Sequence, residues 1–279
     1  MFKVALGAGH GINTPGKRCL KSLDPKETRE WVLNDRICDY VEAQLTAYDG
    51  YELLRLDDSD DGEDNPALAT RVNQANKWGA DFYLSVHHNA GVNGGSGGGI
   101  VAYVYPGVGT ETKAWQSELY DALIKRTGLK GNRAVPLAES NLYVLRKTTM
   151  PAVLLELGFM DSSTDVPVIL TDAYAQNCAK AIVEVLVKRG GLTRKPQQAT
   201  SAAEDKCVAV SLPQLKKGSE GASVRSLQQL LTAKDFNTWG IDGSFGKNTD
   251  AAVRKYQQSK GLTVDGICGK DTWTALLTC

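Results

Sequence analysis

Short apolar runs rich in β-formers alternate with longer segments of helical spacing through roughly the first 190 residues, and this alternation commits that part of the chain to an α/β fold. Residues 2–6, 51–56, 81–86, 100–105 and 151–159 read as strands; 25–47, 68–78, 111–127 and 173–188 read as helices. A long polar loop follows the first strand, and a Gly-rich loop occupies 94–99. Ligands of open α/β sheets bind outside the carboxyl ends of the strands, so chemistry is expected there.

Composition changes after Gly190. Residues 191–206 are rich in Gly, Ser, Thr, Gln, Lys and Ala without apolar periodicity, and they read as a linker between domains at 1–190 and 207–279. In the second domain Asp242-Gly243-Ser244-Phe245-Gly246-Lys247-Asn248-Thr249 returns as Asp265-Gly266-Ile267-Cys268-Gly269-Lys270-Asp271-Thr272. Each copy is a turn that delivers a Thr to a helix start. With Val224, Leu227, Leu230 and Leu231 on an earlier helix, the segment reads as a small three-helix, all-α module.

The 32 basic and 32 acidic residues cancel, so no overall field draws the chain to nucleic acid or an anionic membrane. No apolar run approaches the ~20 residues that span a bilayer. The start, Met1-Phe2-Lys3-Val4, lacks the charged-then-apolar pattern of a signal peptide, which leads to the expectation of a soluble protein made in the cytosol. Six cysteines without a Cys-x-x-Cys pair argue against a structural zinc site or a dithiol redox motif. Cys207 and Cys279 would pair only in an oxidising place.

The three histidines sit at strand ends: His10 in Gly9-His10-Gly11, and His87 and His88 in Ser85-Val86-His87-His88-Asn89. Imidazole is the commonest metal ligand among side chains. Neighbours on a strand point to opposite faces, so one of His87 and His88 faces a site squarely, and alternation does not say which. No His-Glu-x-x-His helix exists, which excludes thermolysin-like proteases.

Two carboxylates stand where apolar residues belong. Asp24-Pro25-Lys26-Glu27 has the form of a helix start, with Asp24 as N-cap and Glu27 as capping-box partner. Glu30 instead shares the apolar face of Leu33, Ile37, Val41 and Leu45. A buried carboxylate needs a cation or strong donors, which a metal or an Arg would supply. Glu156 interrupts the run Ala152-Val153-Leu154-Leu155-Glu156-Leu157-Gly158-Phe159, which reads as a buried parallel strand. It is a candidate proton carrier; an ion pair with Arg146 is the structural alternative.

These stretches, with Glu30 and Asn34, Arg71 to Ala75-Asn76, and Leu142-Tyr143-Val144-Leu145-Arg146 leading to Met150-Pro151, resemble the zinc-dependent N-acetylmuramoyl-L-alanine amidases of the Amidase 3 type. The resemblance covers nearly all of the first domain, and the Gly-rich loop at 94–99 departs from it. It implies a mostly parallel sheet flanked by helices, Zn2+ held by His10, Glu30 and His87, and Glu156 as the catalytic acid/base. His87 is thereby preferred to His88, which is left a structural part. The implied reaction cuts the amide between the lactyl group of N-acetylmuramic acid and L-alanine of the stem peptide. Asn141 and Arg133 are weak groove candidates.

The second domain resembles the PG_binding_1 peptidoglycan-binding module through Leu215 to Ser219, Val224 to Gln228, Asp242-Gly243 to Gly246, Thr249 to Gln257, and Gly261 to Trp273. It implies bacterial peptidoglycan as partner, without nucleic acid or membrane insertion. A wall enzyme lacking a signal peptide suggests an endolysin acting after release to the wall, with a host autolysin as the alternative. Two further readings are a carboxylate-pair glycosidase using Glu30 and Glu156, and a non-catalytic wall binder. The glycosidase leaves His10 and His87 without purpose.

Overall fold

The computed structural model describes residues 1–57, 62–196, 212–234, 236, 238 and 241–277. The chain divides into two compact units, Met1–Ala199 and Thr200–Cys279. Cys207 and Cys279, which the sequence would pair only in an oxidising place, lie outside the described residues.

The first unit runs β1 (Phe2–Ala8), α1 (Glu30–Leu45), β2 (Tyr48–Asp49), β3 (Tyr51–Arg55), α2 (Leu68–Trp78), β4 (Phe82–Asn89), β5 (Ile100–Val104), α3 (Thr110–Thr127), β6 (Leu137–Glu139), α4 (Tyr143–Lys147), β7 (Ala152–Phe159), α5 (Val166–Ile169), α6 (Asp172–Gly190) and β8 (Thr193–Arg194). Six strands form one sheet in the order β3-β1-β4-β7-β5-β6. All neighbours pair parallel except β5 with β7.

Side-chain alternation divides the sheet into two faces. Val4, Leu6, Phe82, Leu84, Val86, Val153 and Leu155 join a large core with Leu33, Ile37, Leu119, Ile182 and Leu186 of α1, α3 and α6. Ala5, Tyr83, Ala152 and Leu154 meet Val72, Ala75, Val144 and Leu145 of α2 and α4. Full burial of one such Leu or Phe is worth ~1.5–3 kcal/mol, so the first face anchors the sheet. The second carries one short and one five-residue α-helix, which leaves its carboxyl end open to build a site.

The first helix begins later than its sequence suggests. Asp24 caps a turn instead: its carboxylate accepts from the Lys26 N–H at 3.1 Å and the Thr28 N–H at 2.7 Å. Glu27 takes a left-handed φ of 50° and pairs with Arg18 and Lys21. The helix then starts at Glu30 without a side-chain cap, because the polar loop is folded back and Arg18 bridges Arg29. At the other end of the unit, β8 pairs with β2, so the packed structure continues into the stretch whose composition reads as linker.

Among its described residues the second unit has three helices, α7 (Ala222–Ala233), α8 (Lys247–Ser259) and α9 (Lys270–Leu277). They pack Val224, Leu227, Leu231, Phe245, Val253, Tyr256, Trp273 and Leu276 together. The duplicated turns are held in duplicate. Buried Gln228 donates to Asp242, Ser244 and Thr249 and accepts from the Gly243 N–H; buried Gln257 does the same with Asp265, Ile267, Thr272 and Gly266. Among the described residues no helix is long and apolar enough to cross a membrane.

Candidate functional site

The carboxyl ends of β1, β4 and β7 bring four of the sequence candidates to one place. His10 follows β1, and His87 and Glu156 are register partners on β4 and β7, so their side chains leave the sheet on the same face. Glu30 arrives from the first turn of α1. One ligand atom each from His10, Glu30 and His87 lies within 4.8 Å of the other two.

The local backbone explains how the rings meet. His10 has a φ of 65°, a left-handed conformation costly for a residue with a Cβ. It puts the His10 and His87 rings perpendicular with centroids 5.1 Å apart. A Cβ on Gly9 would fall inside the His87 ring, so only glycine fits there.

Glu30 is buried, with Oε1 3.0 Å from His87 Nδ1 and 3.3 Å from the His88 N–H that donates to it. Its Oε2 has no hydrogen-bond partner and stands 3.4 Å from His10 Nε2 and 3.5 Å from Lys17 Nζ. Burial alone would raise the carboxyl, but the His87 hydrogen bond and the neighbouring His87, His10 and Lys17 outweigh it and hold it down to about 2. Burial lowers His10 to about 4, so its imidazole is neutral near pH 7 and the 3.4 Å approach is not an ion pair. A neutral imidazole and an ionised carboxylate are the forms that ligate a metal.

Glu156 is pushed up to about 7, first by burial, against the opposing influence of His87. Its Oε2 is buried without a hydrogen bond. Arg146 does not pair with it: that guanidinium donates to Asn141 at 2.6 Å and lies over the Tyr143 ring. Nor does an Arg hold Glu30 among the described residues; Lys17 is the cation beside it. His88 points to the opposite face, where its Nδ1 is 2.8 Å from Asn34 Oδ1, away from the cluster. Arg133 stacks on Phe159, so neither it nor Asn141 is among the clustered groups.

The N-acetylmuramoyl-L-alanine amidase family Amidase_3 matches residues 4–188, nearly all of the six-stranded sheet and its helices. The chain belongs to that family. Over 183 residues the chain is 34% identical to the sporulation-specific N-acetylmuramoyl-L-alanine amidase of Bacillus subtilis, covering 64% of this chain and 65% of that one. Over 214 residues the chain is 32% identical to the endolysin of Bacillus phage SPP1, covering 74% and 75%. The catalytic domain of the amidase CwlV from Bacillus (Paenibacillus) polymyxa has the same fold, with a TM-score of 0.61 at 24% identity over 69% of this chain and all of that one. The peptidoglycan binding domain family PG_binding_1 matches 220–276.

In the amidase unit a cleft of about 350 Å³ opens beside His10 and His87, between the start of α2 and α4, lined by Pro66, Leu68, Tyr143 and Leu154 among others. Sequence reasoning gave no role to Lys17, which lies in an irregular loop, or to Arg71. Arg71 did carry a signal: it shares the buried face of α2 with Val72 and Ala75.

Proposed function

We propose that this amidase hydrolyses the amide between the lactyl group of N-acetylmuramic acid and the L-alanine of the stem peptide in bacterial peptidoglycan, with Zn2+ held by His10, Glu30 and His87. The observation that carries the reading is the convergence of two imidazoles and a buried carboxylate with an unpartnered oxygen, next to a second carboxyl on the adjoining strand. That donor set suits a catalytic zinc, which takes three protein ligands. When bound, zinc supplies Lewis acidity, polarising the scissile carbonyl and making water nucleophilic near neutral pH.

The chain's own residues provide the rest. Glu30 keeps its charge because its neighbours hold it far below neutrality, so it stays a ligand across the working range. Glu156, whose carboxyl burial pushes up to about 7 in the metal-free chain, accepts a proton from the attacking water and returns it to the departing alanine nitrogen. A free carboxylate of ordinary acidity would be a poorer proton donor at that pH. The C-terminal unit holds the enzyme on the insoluble wall and so raises its local concentration there.

An N-acetylmuramoyl-L-alanine amidase of B. subtilis and the endolysin of phage SPP1 both stand among the relatives. In the endolysin reading the protein is made in the cytosol and reaches the wall on release. The test is chelation: dialysis against a strong chelator abolishes the release of amino groups from purified peptidoglycan, and stoichiometric Zn2+ restores it. Full activity in metal-stripped protein would overturn the proposal.

A further inference from the structure

Three consecutive carbonyls before and at His10 are each held by a buried side chain. Arg71 Nη1 donates to the Ala8 carbonyl at 2.5 Å and Nη2 to the His10 carbonyl at 3.1 Å. Between them, Asn34 Nδ2 donates to the Gly9 carbonyl at 3.1 Å. The two clamps come from different helices, α2 and α1, so they grip the segment from both faces of the sheet.

Both side chains are themselves fixed. Arg71 is 4% exposed, with Nε on the Pro66 carbonyl at 3.0 Å and Nη2 also on Asn65 Oδ1 at 3.1 Å. Asn34 is fully buried, one turn along α1 from Glu30, and its Oδ1 takes the Nδ1–H of His88. The Ala8 N–H meanwhile donates to Asp57 at 2.9 Å.

A left-handed non-glycine residue persists only where its surroundings over-determine it. At His10 they do. We infer that Arg71 and Asn34 are positioning residues: by fixing the carbonyls of residues 8–10 they hold the His10 backbone in its left-handed turn and aim the imidazole at Glu30 and His87. A guanidinium fork spans the Ala8 and His10 carbonyls at once, which a single ammonium does not. Asn34 also ties the same segment to the helix that carries Glu30, so two of the three clustered groups keep one relative position.

The inference rests on His10 being a metal ligand, and its test reads metal affinity, not turnover. Zn2+ affinity of the full chain is measured by competition with a chromophoric chelator for wild type, Arg71→Lys, Asn34→Ala, Val72→Ala and His10→Ala. Val72 is the structural control, since it packs in the apolar cluster beside Arg71 on the same helix. Arg71→Lys and Asn34→Ala are expected to bind ~10–100-fold more weakly, the usual size of an outer-shell effect, with Val72→Ala close to wild type despite its lower thermal stability. Wild-type affinity in folded Arg71→Lys and Asn34→Ala overturns the inference, as does an equal loss in Val72→Ala. Wild-type affinity in His10→Ala instead overturns the ligand reading beneath it.

Discussion

Replacing Glu156 with Gln keeps the side chain's volume and removes its charge and its proton. In the metal-free chain, burial lifts this carboxyl from 4.5 to about 7. Between those two values the folded chain holds a proton that the unfolded chain has released, so stability falls as pH rises through that window. At 1.36 kcal/mol per unit the cost reaches about 3 kcal/mol above pH 7, and Glu156→Gln escapes it. Urea unfolding with a chelator present should therefore find the variant more stable than wild type by about 3 kcal/mol at pH 8, and the gap largely closed at pH 4.5. A variant less stable than wild type at pH 8, or a gap independent of pH, would refute the argument from burial. With zinc restored, Glu156→Gln should retain the metal and lose ~10²–10⁴ of the rate. Full activity would remove Glu156 from proton transfer.

His10→Ala should lose most bound zinc, measured by metal analysis after gel filtration, whereas Glu156→Gln should retain it; equal retention in both would contradict the division of roles. Gln257→Leu strands the Gly266 N–H inside the second unit, at ~1–3 kcal/mol for the unpaired group, while the Ile267 carbonyl keeps the Gly269 N–H. Hydrogen exchange should accelerate across 212–277 and not in β1, β4 and β7; unchanged protection would deny the clamp its role. Cys19, Cys178 and Cys268 are buried and their thiols are raised to about 12, so iodoacetamide at pH 7.5 should modify them only after unfolding. Peptide mapping that finds them alkylated in the folded chain would contradict the packing.

Five of the six strands of the sheet were legible because buried strands of this kind are apolar runs bounded by polar turns, whereas the edge strand β6 is three residues long and mostly exposed and leaves no such run. The antiparallel placement of β5 was not legible, since pairing direction leaves no mark on a five-residue apolar segment. Asp24-Pro25-Lys26-Glu27 misled because a carboxylate that accepts two backbone N–H groups serves a turn as well as a helix cap. Glu30 and Glu156 announced themselves as charges among apolar neighbours. The choice between His87 and His88 depended on what covers each face: α1 supplies Asn34 to the His88 side, while the His87 side stays open. Arg71 entered the sequence reading only through the family resemblance, and its target, the carbonyls of residues 8 and 10, became visible only when β1 and α2 were brought together. Lys17 had no pattern to betray it. Nothing in a loop's spacing predicts that its ammonium will stand 3.5 Å from Glu30.

The bond cut decides the account most directly. Purified peptidoglycan digested with the full chain and zinc should yield new N-terminal alanine amino groups without new reducing ends. New reducing ends without amino groups would indicate cleavage of the glycan and contradict the amidase reading, and the absence of both would leave a wall-binding protein without catalysis.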